Sequence, residues 1–197
     1  QNIETAVEEG GDIWNNPQVK DFKDRVKAYY RTRGNEQCCY CKKNSQGEFK
    51  MVLDIEHILP KGQPEFREFM FVLTNLNVAC KRCNMNVKGT RTDFVYSINA
   101  AANNHEDSNQ YKFIHPNADD YFEHLEYIQR IDNDKKLIKY KVVNNSDKGE
   151  YTYKYFRLKE LEIDSINQAQ GLKQKSELSA KIDQSIQERL RDAFKKI

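Results

Sequence analysis

The sequence predicts an α+β chain, and three features carry that expectation. A run with helical periodicity occupies the N-terminal part. Two C-x-x-C pairs, Cys38/Cys41 and Cys80/Cys83, then bracket two strand-like stretches. Three further strand-like runs and a long helical stripe complete the chain.

Taken in order, Asn16-Pro17 is a helix start, a capping Asn followed by Pro at the first helical position. Val19, Phe22, Val26 and Tyr29/Tyr30 recur at helical spacing, and Gly34 ends the run. After the turn Asn44-Ser45-Gln46-Gly47, residues Phe49 to Leu59 have strand composition, closed by Pro60. Residues 61–74 read as a loop or short helix. Leu76-Asn77-Val78-Ala79 is a short apolar strand entering the second cysteine pair, where a helix starts. Residues 99–118 read as an irregular connection and Asp119 to His124 as a short helix. Tyr127–Ile131, Leu137–Val143 and Tyr151–Leu158, parted by Asp132-Asn133-Asp134 and by Asn144 to Glu150, predict a three-stranded meander. Leu178, Ile182, Ile186, Leu190 and Phe194 recur every fourth residue as the stripe of a long terminal helix.

The 197 residues carry 32 Lys and Arg against 30 Asp and Glu, a net +2 that by itself implies no nucleic-acid partner. A mean hydropathy of −0.90 gives a very polar surface. The 11% aromatic content still supplies a core, which excludes wholesale disorder. No window approaches the roughly 18 apolar residues of a membrane helix, and Gln1-Asn2-Ile3-Glu4-Thr5 lacks the pattern of a secretory signal. A cytoplasmic location is expected. Basic residues cluster locally, from Lys20 to Arg33 and as Lys81, Arg82, Lys88 and Arg91, where they suit phosphate contacts or simply a solvated helix face.

Four of the five cysteines form the two pairs, leaving Cys39 over as a small buried side chain. Two such pairs close a tetrahedron of four thiolates around Zn²⁺, with no coordination position left for chemistry, so the metal is structural. A disulfide framework predicts an extracellular chain with more distributed cysteines.

Between the pairs stands Asp54-Ile55-Glu56-His57-Ile58-Leu59-Pro60-Lys61. Asn75-Leu76-Asn77 precedes the second pair, and Asn84, Asn86, Lys88 and Gly89 follow it. A neutral His removes protons near pH 7, and a carboxylate with an amide oxygen makes a hard site for a hydrated divalent ion. That combination suits phosphodiester hydrolysis. Asp54 shares a strand face with Glu56 and reads as a solvated or turn-capping carboxylate. His105, His115 and His124 show no ligand spacing, and His115-Pro116 reads as a turn anchor.

In their order and spacing, Cys38-x-x-Cys41, Ile55-Glu56-His57, Asn75-Leu76 and Cys80-x-x-Cys83-Asn84 through Lys88 resemble the HNH endonucleases, over 52 of 197 residues. The resemblance implies a zinc-stapled ββα-metal core (37–96) between an N-terminal helical lead (1–36) and a C-terminal α+β extension of meander plus long helix (97–197). It implies that His57 is the general base and that Glu56 and Asn84 bind catalytic Mg²⁺ or Mn²⁺. Asn75 would hydrogen-bond across the loop and fix the His-bearing strand, and Cys38, Cys41, Cys80 and Cys83 would hold Zn²⁺. Lys81, Arg82, Lys88 and Arg91 would meet DNA. Glu56 stands where Asp is common, and Asn84 stands where His does, which favours a hard ion. The Asn84-to-Lys88 spacing is one residue longer than the pattern, and Asn86 rivals Asn84 as the amide ligand. Tyr40-Cys41, Pro60-Lys61, Phe113-Ile114-His115-Pro116 and Asp119-Asp120-Tyr121-Phe122 also resemble HNH nucleases of bacterial antiphage systems, of Septu and retron type, that pair with an ATPase. The C-terminal part would then dock that partner. The alternatives are a non-catalytic zinc module that binds nucleic acid, and a protein-interaction subunit. The terminal stripe suits a homodimer as well as a heteromeric contact.

Overall fold

The structure is a computed structural model and describes residues 2–165; the Leu178–Phe194 stripe lies outside the described residues. The fold is mixed helix and strand with two small antiparallel sheets. Helix α1 (Asn2–Glu9) precedes α2 (Lys20–Arg33), which is entered through a 3₁₀ turn over Pro17–Val19. Asn16 caps that turn by accepting the Gln18 N–H at 2.9 Å. Val26 and Tyr30 are the buried side of α2, as its spacing predicts, and Gly34 caps its end.

Strands β1 (Leu53–His57) and β2 (Leu76–Cys80) pair antiparallel, with Ile55 opposite Val78 and His57 opposite Leu76. The expected strand from Phe49 is shorter than predicted, because residues 50–52 form a 3₁₀ turn. The connection between the strands folds as 3₁₀ helices over Pro64–Phe71 and Leu73–Asn75. Beyond β2 the chain enters a π-helical segment, Arg82–Lys88. A hairpin followed by a helix, flanked by the four cysteines, is therefore present.

The C-terminal part departs from the expected meander. Strands β3 (Leu125–Asp132) and β4 (Lys135–Val142) pair as expected. Tyr151–Leu158 is not a strand: Asp147–Tyr155 is a helix, α4, after α3 at Ile98–Asn103. The third strand is β5 (Ile163–Asp164), pairing with Leu137 and Ile138 of β4. Ser146 caps α4 by accepting the Gly149 N–H, and the helix buries Gly149, Thr152 and Tyr155. A Cβ on Gly149 would stand 2.3 Å from the His124 carbonyl oxygen, so glycine is what lets α4 approach the start of β3.

One hydrophobic core runs from Val26 and Tyr30 through Tyr40, Leu53, Val78 and Phe94 to Phe113, Tyr155 and Phe156. Tyr40, between the first two cysteines, stacks on Phe156 at 4.2 Å. Among the described residues no helix is long and apolar enough to cross a membrane.

Candidate metal centre and active site

The first knuckle is folded by backbone bonds from Cys38 N–H to the Lys43 carbonyl and from Lys42 N–H to the Cys38 carbonyl, with Lys42 itself left-handed (φ 54°). Cys39 N–H donates to the Val78 carbonyl at 3.0 Å, fastening this knuckle to β2. Cys80 ends β2, and Cys83 lies in the helix that follows. The sulfurs of Cys38, Cys41, Cys80 and Cys83 consequently lie within 4.8 Å of one another. A tetrahedron with Zn–S arms of ~2.3 Å has edges of about 3.8 Å, and Cys41 Sγ and Cys80 Sγ are 3.8 Å apart. Four thiols at this separation fit a structural ion such as zinc. Cys39 is buried outside the cluster. The C-terminal sheet walls the centre: Tyr140 donates to the Cys41 carbonyl at 2.6 Å.

His57 ends β1 and is 8% exposed. Its Nε2 lies 3.1 Å from the Met70 carbonyl, an acceptor only. The proton therefore sits on Nε2, and Nδ1 keeps a lone pair. Trp14 meets the ring edge-on at 4.4 Å between centroids. Burial pushes the His57 pKa down to about 3; the Met70 bond opposes this, and the positive charges of Lys61, Lys88 and Lys23 reinforce it. Asn75 clamps the chain just beyond the imidazole. Its Oδ1 accepts from Leu59 N–H at 2.8 Å, and its Nδ2 donates to the Leu59 and Phe69 carbonyls at 3.1 and 3.2 Å. Ile58 N–H donates to the Asn75 carbonyl at 2.9 Å.

Glu56 is 1% exposed. Its Oε1 is 2.7 Å from Lys88 Nζ and accepts from Tyr40 OH at 3.1 Å, while the buried Oε2 has no hydrogen-bond partner. Burial raises its pKa, against the pull of Lys88 and Tyr40. Asn84 donates through Nδ2 to the Ile55 carbonyl at 3.2 Å, which leaves Oδ1 uncommitted. Asn86 is exposed. The expected pair of metal-binding oxygens is thus half closed: Asn84 offers one, whereas Glu56 already faces an ammonium. The Lys88 ammonium already neutralises the Glu56 carboxylate through Oε1, so a divalent ion at the remaining Oε2 would sit beside a positive charge.

Three of the four side chains expected to contact DNA are engaged within the protein. Arg82 donates to the Phe156 and Arg157 carbonyls and pairs with Glu160. Lys88 is buried, and Arg91 pairs with Asp93 while lying 4.5 Å from the centre of the Tyr155 ring. Lys81 is exposed. Asp54 faces Lys27 at 3.7 Å. His115 is a turn anchor: its Nδ1 accepts from the Asn117 and Ala118 N–H groups, and its own N–H donates to Asp119.

Trp14, Tyr40 and the Met70 carbonyl join the site without a catalytic motif to mark them. The single tryptophan, and a tyrosine set inside a cysteine knuckle, were the available signals for the first two; a main-chain carbonyl leaves none. Compared with protein-family models, with curated proteins and with solved structures, the chain finds no match in any of the three.

Proposed function

We propose that the chain is an endonuclease of HNH type that hydrolyses DNA phosphodiester bonds, with His57 as the general base. One observation carries the reading: the imidazole at the end of a cysteine-flanked hairpin is locked by the Met70 carbonyl in the tautomer that leaves Nδ1 unprotonated and able to accept. In the proposed step Nδ1 takes a proton from water as the oxygen attacks phosphorus in line with the departing oxygen. The Met70 carbonyl holds the imidazolium that results, and Asn75 keeps the strand end still. Lys61, whose charge acts on His57, and the exposed Lys81 are cations open to phosphate; Lys23 is engaged by the Trp14 carbonyl.

The Mg²⁺ or Mn²⁺ that the resemblance implies would supply charge neutralisation at the phosphate; Asn84 Oδ1 is the oxygen open to it. A role in antiphage defence beside an ATPase belongs to the same proposal, and rests on the resemblance. The rival reading, a non-catalytic nucleic-acid module built on Lys81, Arg82, Lys88 and Arg91, is weakened by the internal engagement of three of them.

Plasmid nicking in Mg²⁺ or Mn²⁺ tests the assignment, with the cognate complex in place of the isolated chain where a partner holds it in check. His57→Ala is expected to abolish cleavage while keeping zinc and DNA binding. Equal cleavage by both proteins overturns it.

A further inference from the structure

Lysine is almost never fully buried unless paired, yet Lys88 is 2% exposed. Besides the 2.7 Å contact with Glu56, its ammonium donates to the His57 carbonyl at 2.8 Å and lies 5.5 Å from the centre of the Phe94 ring. The backbone is specially shaped to bring it there. The segment that carries it is wound as a π-helical turn, closed by Gly89 N–H to the Asn84 carbonyl at 2.7 Å, with Gly89 at φ 51°. In a regular α-helix Lys88 would share a face with Asn84 and point where a phosphate could reach it. The wider turn rotates it inward.

We infer that Lys88 is a positioning residue for His57, and that Glu56 is its counter-ion rather than a metal ligand. The carbonyl that Lys88 holds belongs to the residue bearing the imidazole, while the Met70 carbonyl holds the ring and Asn75 holds the two residues after it. Glu56 makes burial of the ammonium tolerable. Tyr40 donates to the same carboxylate oxygen from within the first knuckle. A continuous line of contacts thus joins the cysteine cluster to the candidate base through Tyr40, Glu56 and Lys88.

The kinetic part of the test rests on the nuclease reading; the spectroscopic part does not. Lys88→Met alone strands the Glu56 charge and is expected not to fold, so the test uses the double variant Glu56→Gln/Lys88→Met, which removes both charges together. In the full zinc-loaded chain, solvent exchange of the His57 Nε2–H is followed by NMR. It is expected to quicken about tenfold or more in the double variant, as befits the loss of one charged hydrogen bond. Tyr40→Phe, a nearly isosteric change that leaves the charges in place, is expected to quicken it less. With Mn²⁺ as the probe metal, the double variant should lose on the order of a hundredfold in kcat, as for a misplaced catalytic group, with KM for DNA and half-saturating Mn²⁺ unchanged. Wild-type exchange rates in both variants overturn the inference whether or not the chain is a nuclease. A rise in half-saturating Mn²⁺ that tracks the lost rate also overturns it, because Glu56 is then a metal ligand. Failure of the nuclease reading shows separately, as equal cleavage by wild type and His57→Ala.

Discussion

Trp14 lies edge-on against His57, with ring centroids 4.4 Å apart and planes at 74°. The indole also packs on Phe71 at 5.8 Å, and Lys23 donates to the Trp14 carbonyl at 3.2 Å. The tryptophan therefore roofs the side chain proposed to meet substrate. Trp14→Ala is expected to lower stability by about 3 kcal/mol, at the low end for a truncated buried aromatic. It is also expected to make His57 react several-fold faster with diethyl pyrocarbonate, read by mass spectrometry of the modified peptide. An unchanged modification rate in a folded variant would show that the roof does not govern access.

Removal of metal should unfold the cysteine-flanked core. Structural zinc sites contribute on the order of 10 kcal/mol of apparent binding free energy at neutral pH. Circular dichroism during chelation should therefore show loss of structure together with release of one zinc per chain. Cys83→Ser is expected to lose the ion, whereas Cys39→Ser, outside the cluster, should retain it.

Asn75 satisfies three buried main-chain groups of Leu59 and Phe69. Asn75→Ala leaves all three without partners, so a loss of about 3 kcal/mol or more is expected, measurable by urea unfolding. Cleavage, where present, should fall further than the unfolded fraction explains, because the clamp sits directly beyond His57.

Acid should destabilise the fold through its buried imidazoles. Burial holds the His115 pKa down at about 4, against 6.5 ordinarily; Asp119 opposes the shift and Lys148 adds to it. As pH falls through 6.5 the unfolded chain takes up a proton that the folded one refuses until about pH 4. The stability present above pH 6.5 is thus lost between those values, by roughly 3 kcal/mol. His57, with its pKa down at about 3, adds to the same slope. His115→Asn, whose amide oxygen can accept the same two N–H groups, should flatten the pH dependence in urea titrations.

Where local signals and burial agree, the chain is legible from its residues. Asn16-Pro17 and Gly34 bound the helical run that contains α2, and the cysteine spacing brings four sulfurs together. The segment from Tyr151 to Leu158 misleads because alternating aromatics have strand composition; the cap at Ser146 and burial at Gly149, Thr152 and Tyr155 make it helical. Basic residues misled for a different reason. A linear pattern does not show that Arg82 turns toward the Phe156 carbonyl or that residues 82–88 wind as a π turn with Lys88 buried. That same segment carries the ammonium that meets Glu56.

The bond from Tyr140 to the Cys41 carbonyl and the stack of Phe156 on Tyr40 reach across residue 97, where sequence motifs would divide the chain. A fragment ending near that point would lay bare an aromatic surface that normally seals the sulfur cluster. Such a piece should precipitate or remain molten, and the intact protein should melt in a single calorimetric transition. Excising the motif-bearing third for use as a minimal tool would therefore discard the aromatic wall that packs on the sulfur cluster.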